Sequence, residues 1–259
     1  MELPRPLPLR QICLVSDMSA SDLAIISLLS AIAALPQNVA GFGFALVLAP
    51  LLVLFLDAGD TVVIVNILAM LSSAAIVWRL RQEIVWPIAG TLFLSSLAGM
   101  PLGLLVLLFA EGRVLQVLIA VAVLSGTFAL ARGLTVGGGN FIAIAAGIAG
   151  GILRTSTSAA GPPIIMYLQA RNFPIDTFRA TGSFFLMSTG VVAIVLYAAT
   201  NRLDADVGLA VVAAVPGVVI GTIAGGWLAE YVTEIWFRRG VTALLITTAL
   251  TALVTAILG

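Results

Sequence analysis

Arg154 stands in the stretch Gly150-Gly-Ile-Leu-Arg-Thr-Ser-Thr-Ser-Ala-Ala-Gly-Pro-Pro-Ile-Ile and is the one charged residue between Arg132 and Arg171. A guanidinium carries N–H donors in a planar fork that can bridge two oxygens, which is the chemistry of oxyanion recognition. The hydroxyls of Thr155, Ser156, Thr157 and Ser158 follow it directly, and Gly161, Pro162 and Pro163 interrupt the segment just beyond. A helix starting near Ser158 or Ala159 would aim backbone N–H groups and the positive end of its dipole at the same point. The bland reading is an arginine that snorkels to an interface or pairs with carbonyls, beside hydroxyls that cap and glue helices. A cation at membrane depth costs roughly 2.5–3.5 kcal/mol on insertion scales. Its mid-segment position therefore favours a cradle for a small anion.

Gln37 and Asn38 lie beside Pro36 in an earlier apolar stretch. Their amides can complete an oxyanion shell without adding charge, or can satisfy backbone groups released by the proline. Gly41 and Gly43 follow, and permit close approach of backbone to a ligand or to a neighbouring helix. Asp57, Asp60, Asp176, Asp204 and Asp206 all fall in short loops, where solvated ends are the ordinary reading, although Asp176 and Arg179 are spaced to pair as a gate. No acidic residue lies deep within a span, which leaves proton coupling without a carboxylate relay unless the substrate's own protonation serves. There is no histidine, so imidazole metal ligation and relay chemistry are excluded. The single cysteine, Cys13, cannot form an internal disulfide. No metal and no cofactor is expected.

These residues must be positioned by membrane-spanning helices. Hydrophobic residues make up 61% of the 259-residue chain and charged residues 9%, against about 25% charged in a soluble domain. The formal charge is zero, and all twelve basic residues are arginine; nothing points to nucleic acid. Residues 1–21 read as a short polar tail. Beyond it, apolar blocks run over 22–56, 61–78, 84–109, 114–131, 140–170, 178–200, 207–229 and 235–258. A straight helix over the first block would measure about 52 Å, far more than the roughly 30 Å hydrocarbon core. Pro36, Gly41, Gly43 and Pro50 predict that it is broken. Block 140–170 has the same design around Gly150, Gly151, Arg154 and Gly161–Pro163.

The fold class expected is thus an all-α polytopic membrane protein of two pseudo-symmetric halves. Each half is a broken or re-entrant segment followed by three spans, with repeats over 22–131 and 140–259 joined by a linker at 132–139. Pro50 matches Pro163, Asp60-Thr61 matches Asp176-Thr177, and Gly99-x-x-x-Gly103 matches Gly221-x-x-x-Gly225. Interrupted segments at matching places in two repeats point to a transporter site at the repeat interface. If each broken block returns to the side it entered, Arg79, Arg81, Arg132, Arg171, Arg179, Arg238 and Arg239 share the cytoplasmic side, against Arg5, Arg10, Arg113 and Arg202 outside. In that arrangement the halves are inverted.

The stretch Gly147 to Leu168, followed by Phe178-Arg-Ala-Thr, resembles the second-half motif of the TauE/SafE sulfite exporter family. Gln37-Asn-Val-Ala-Gly-Phe-Gly-Phe-Ala-Leu-Val-Leu-Ala-Pro-Leu-Leu is similar to the family's glycine-rich first motif, and the likeness covers nearly the whole chain. The resemblance implies a multi-pass permease of the bacterial inner membrane, moving sulfite or an organosulfonate such as sulfoacetate. It implies Arg154, Thr155, Ser156, Ser158 and Gly161 to Pro163 as site residues, with Arg179 at their edge. Gly41-Phe-Gly43 stands where the family's common triple glycine would be, and Arg-Thr-Ser-Thr-Ser where many relatives have more glycine, so the particular anion stays open.

The leading expectation is a secondary transporter for a small sulfur-containing anion, bound between the two broken segments and moved by alternating access. An anion channel with the same cradle and a transporter of a non-sulfur organic anion are the alternatives. An intramembrane enzyme would lack a general base. A scaffold gains little from a cation in a span. The partners expected are the anionic substrate and the lipid bilayer, with a homodimer as an open assembly.

Overall fold

The computed structural model describes residues 20–132 and 134–231, and these form helices throughout, with short connections. In chain order they are α1 (Ala20–Ala40), α2 (Phe44–Leu52), α3 (Ala58–Leu80), α4 (Trp86–Phe109), α5 (Gly112–Arg132), α6 (Asn140–Thr157), α7 (Gly161–Ala170), α8 (Ile175–Ala199) and α9 (Ala205–Tyr231). A single 3₁₀ turn, Arg81–Glu83, joins α3 to α4. Five of these helices, α1, α3, α4, α8 and α9, are long and apolar enough to cross a membrane. Cys13, Arg5, Arg10, Arg238, Arg239 and the block 235–258 lie outside the described residues. The tail expected over 1–21 ends slightly earlier, since α1 already begins at Ala20.

Both long apolar blocks are broken, but not by their prolines. Pro36 sits inside α1 and Pro50 inside α2. Proline fixes φ near −65°, a helical value, so it can ride within a helix whose environment tolerates the lost donor. Reversal of the chain needs positive φ instead, and Gly41 (φ 81°) and Gly43 (φ 117°) supply it between α1 and α2. In the second block the reversal begins at Ser158, a non-glycine residue at φ 59°. α7 then starts at Gly161, two or three residues later than the sequence suggested.

Each broken segment returns to the end of the bundle it left. Nη1 of Arg171, just after α7, donates to the carbonyl of Gly138, just before α6, at 2.8 Å. At the start of α1, Ile25, Ile26 and Leu29 line a common cavity with Leu52, Phe55 and Leu56 after the turn. The two hairpins therefore enter from opposite ends. Glu83, Thr177, Arg171 and the linker mark one end: Thr177 Oγ1 donates to Glu83 at 3.2 Å, and the Val85 amide donates to Thr181 Oγ1 at 3.2 Å. Asp57, Asp60, Arg202, Asp204 and Asp206 gather at the other.

The most extensive packing joins α4 to α6 and α1 to α9, and α3 crosses α8 between them. Small residues set these contacts. A methyl group on Gly99 or Gly103 would collide with the Ile148 or Ile152 carbonyl of α6, and one on Gly221 with the Ala31 carbonyl of α1. A methyl on Gly225 would lie 3.0 Å from Asn38 Cβ. Glycine here lets two backbones touch, which is what small-xxx-small spacing does in membranes. The core they enclose runs through Phe44, Leu48, Ile64, Leu68, Leu92, Tyr167, Phe185 and Tyr197, all buried.

Candidate functional site

Arg154 occupies the last turn of α6 and is fully buried, the one charged side chain so placed among the described residues. Its guanidinium reaches the space between α3 and α8. Nη2 donates to the carbonyl of Leu186 at 3.0 Å and to that of Asn66 at 3.4 Å, both near the middle of their helices. Nε and Nη1 have no hydrogen-bond partner. The room exists because residue 190 is glycine: a Cβ there would lie 2.7 Å from Nη2 and 2.7 Å from Met70 Cβ.

Two residues that sequence reasoning missed hold this turn in place. Asn66 Nδ2 donates to the Arg154 carbonyl at 2.9 Å and to Tyr197 Oη at 3.3 Å. Tyr197 Oη donates in turn to the Thr155 carbonyl at 3.2 Å. Both side chains are wholly buried. The last carbonyls of a helix have no intrahelical partner, and this pair satisfies two of them where α6 stops. The Asn66 Oδ1 atom is left without a partner. Asn66 lies 88 positions from Arg154 in the chain and 131 from Tyr197, so no local spacing could have joined them.

The hydroxyl run is buried as expected, but it does not converge on a common point. Thr155 donates to the carbonyls of Met100 (2.7 Å) and Gly151 (3.2 Å), Ser156 to Ile152 (2.7 Å), Thr157 to Leu153 (3.0 Å), and Ser158 to Val62. Each hydroxyl has one proton to give, and here a carbonyl takes it. Thr155 and Ser158 thereby tie the second tip to α4 and α3. Ahead, Pro162 and Pro163 lie in the first turn of α7, where they remove two of the amide donors that a helix start would otherwise present. α7 contributes its dipole and the Gly161 amide region more than a nest of N–H groups.

The first tip is bonded mainly through Gln37. Gln37 Oε1 accepts the Phe44 amide at 3.2 Å, which caps α2, while its Nε2 donates to Ser73 Oγ at 3.0 Å and to the Gly41 carbonyl at 3.4 Å. Asn38 Nδ2 donates back to Ala34 at 2.9 Å, and its Oδ1 is unpartnered. A Cβ on Gly41 would fall 2.7 Å from the Arg179 Cα, and one on Gly43 3.2 Å from Pro36. The α8 start grips this tip. Arg179 Nε donates to the Val39 carbonyl at 2.6 Å, with Nη2 on the same oxygen, and Ser183 Oγ donates to the Gly41 carbonyl at 3.3 Å. Asp176 and Arg179 do pair, at 3.4 Å, with Asp176 half exposed.

Both tips border one small cavity. Gly41 and Phe42 line it from the first break and Gly161 from the second, with Ile164, Ile165 and Leu168 of α7 and Phe178, Gly182 and Leu186 of α8. Its volume of about 10 Å³ holds at most a water molecule. In this conformation the cavity between the tips has no room for an oxyanion.

A protein-family model described as sulfite exporter TauE/SafE matches residues 26–252. Neither the curated proteins nor the solved structures gave a match.

Proposed function

Because the chain belongs to the TauE/SafE sulfite exporter family, we propose that this multi-pass membrane protein is a secondary transporter for a small sulfur-containing anion, sulfite or an organosulfonate, in a bacterial inner membrane. The observation that carries this reading is the guanidinium of Arg154, wholly buried with Nε and Nη1 unpartnered. Buried charges are otherwise paired, and an unpaired cation near mid-membrane is a site awaiting its counter-ion. An anion entering between the tips takes those N–H groups, and its charge offsets the cost of burying the arginine.

The two hairpins support a reading of alternating access. They belong to two repeats, 22–131 and 140–259, related by inversion and joined through 132–139. Support comes from the exchange of partners between halves: α6 of the second half packs on α4 of the first, and α1 of the first on α9 of the second. In that correspondence Gln37 sits where Arg154 does. One half rocking on the other separates Gly41 and Phe42 from Gly161 and Ile164 and opens the cavity. Gly161, which carries no side chain, leaves the approach open at the second tip, and any hydroxyl of Thr155, Ser156, Thr157 or Ser158 that turns from its carbonyl adds a donor to the substrate oxygens. Arg179, bonded to Val39 and paired with Asp176, latches one end in the closed state.

The test is thermal stabilisation of the purified protein by sulfite, thiosulfate, sulfoacetate, taurine, sulfate, phosphate and acetate. A ligand at 100 times its dissociation constant adds about 2.7 kcal/mol, a readable shift. Selective stabilisation by a sulfur anion, lost in Arg154→Ala, is the expected result. Unchanged binding by a folded Arg154→Ala protein removes Arg154 from the site. Counterflow in proteoliposomes with the membrane potential clamped at zero then separates carrier from channel, because only a carrier accumulates labelled anion as unlabelled anion leaves.

A further inference from the structure

The free hydrogen-bonding capacity around Arg154 is specific in kind. Nη2 is taken by two carbonyls, while Nε and Nη1 remain as donors. Tyr197 has already given its proton to the Thr155 carbonyl and receives one from Asn66. Asn66 Nδ2 faces the Arg154 carbonyl, an atom that can only accept. That partner fixes the orientation of the amide, so the buried and unpartnered atom is the oxygen, Oδ1, an acceptor. The same cluster thus offers donors carrying one positive charge and one orphan acceptor. Among the described residues no other charged side chain is fully buried, and Tyr197 is the one ionisable group that interacts with Arg154 from the helices around it.

We infer that, of the two anions proposed, the site takes sulfite rather than an organosulfonate, and takes it as the monoanion hydrogen sulfite, with the anionic oxygens on Arg154 and the hydroxyl proton donated to Asn66 Oδ1. The inference rests on the proposed transporter site and adds the protonation state of its ligand. A dianion would leave one negative charge unmatched in a buried place, and Oδ1 unsatisfied as well; both are costly where water is excluded. A monoanion without a proton would match the charge but leave the acceptor orphaned. Buried polar groups left without partners are the strongest means by which a site rejects a near-isostere. Asn66 is then a specificity residue as well as the clamp on α6. A consequence follows for energetics. Each anion carried in this form brings one proton with it, so transport couples to the proton gradient with no carboxylate relay in the helices.

The experiment uses the native full-length protein in detergent under anaerobic conditions, with dissociation constants measured for sulfite, methanesulfonate and sulfate at a mildly acidic and a mildly alkaline pH on either side of sulfite's second dissociation. Methanesulfonate is a sulfur oxyanion of the same single charge with no acidic proton to give, and sulfate is a dianion. The expected result is that affinity for total sulfite falls about tenfold from the acidic to the alkaline condition, following the hydrogen sulfite fraction. Methanesulfonate binds more weakly than hydrogen sulfite and equally at both pH values, which shows that the protein itself does not titrate, and sulfate binds weakest. Asn66→Leu, if it folds, narrows the gap between hydrogen sulfite and methanesulfonate; the pH series on the native protein decides the matter without it. Sulfite bound equally at both pH values, or sulfate bound as tightly as hydrogen sulfite, with binding still lost in Arg154→Ala, overturns the protonation inference and leaves the transporter site standing. No sulfur anion bound under either condition, or binding indifferent to Arg154→Ala, overturns the site and this inference with it.

Discussion

The tips at 41–43 and 158–160 do the same mechanical work and differ in what they leave undone. At the first, two glycines at positive φ reverse the chain, and the amide of Gln37 satisfies both sides of the gap through Phe44, Gly41 and Ser73. At the second, Ser158 makes the turn, the carbonyls are met by Asn66 and Tyr197 from other helices, and Arg154 keeps two nitrogens free. An interrupted helix in a membrane must have its exposed backbone groups re-satisfied, and both tips achieve that. Only the second has donor capacity beyond it. A broken segment is therefore no sufficient sign of a binding site; the proposed site rests on the charged donors that Arg154 keeps unpartnered at the second tip.

The sharpest way to break this contrast is to remove the surplus. Arg154→Ala should lower anion binding and transport by about 30-fold or more, in line with the 2–5 kcal/mol lost when one member of a buried charge pair is truncated. Its melting temperature without ligand should be unchanged or higher, because the unpaired buried charge is gone. Arg154→Lys should fail nearly as badly, since an ammonium lacks the guanidinium geometry that reaches Leu186, Asn66 and the ligand together. If Arg154→Ala unfolds the protein while Gln37→Ala abolishes binding in a stable one, the assignment of roles to the two tips is reversed.

Next in size is the backbone at each tip. Gly41→Ala places a side chain at φ 81° and its Cβ 2.7 Å from the Arg179 Cα, a backbone atom that cannot move aside cheaply. The left-handed conformation alone costs about 1–2 kcal/mol, so the variant should melt several degrees lower in a detergent-based scan. Gly161→Ala meets only the flexible end of Ile165, at 3.3 Å, and should melt within a degree or so of the native protein. Equal losses at the two positions would erase the distinction between a tip that needs glycine for conformation and one that does not. Gln37→Ala should come next, costing about 1–3 kcal/mol for the buried groups left unpaired, with anion affinity retained in whatever protein folds.

Much of this contrast could be read in the sequence, for physical reasons that differ by residue. Arg154 stood out because a lone charge in a long apolar stretch is visible without any knowledge of its neighbours. Gly99, Gly103, Gly221 and Gly225 stood out because four-residue spacing fixes a helix face, and each does meet a facing backbone. Pro36 misled as a break point, since a proline's φ suits a helix and the reversal falls to Gly41 and Gly43. That each hydroxyl of 155–158 is already bonded to a carbonyl was not legible, because a sequence does not show which carbonyls lie opposite. Asn66, Ser73, Ser183, Gly190 and Tyr197 were invisible for the same reason: each acts through contacts made only when α3 and α8 pack against each other or against the two broken segments.

The smallest effect tests how the first tip is held. Arg179 has two partners of unequal depth: the Val39 carbonyl, part-buried and contacted by both Nε and Nη2, and the half-exposed carboxylate of Asp176 at 3.4 Å. An exposed ion pair is worth about 0–1 kcal/mol and is screened by salt, whereas a charge-assisted bond to a carbonyl at the tip fixes where the first hairpin stops against α8. Asp176→Asn should therefore change neither stability nor transport measurably, and the outcome should not depend on salt. Arg179→Gln should release the tip, which a single cysteine introduced at Phe42 would report by faster labelling with a membrane-impermeant thiol reagent in a Cys13→Ser background. If Asp176→Asn speeds labelling as much as Arg179→Gln does, the ion pair rather than the carbonyl is the latch, and the first tip is held by a surface charge instead of by its own backbone.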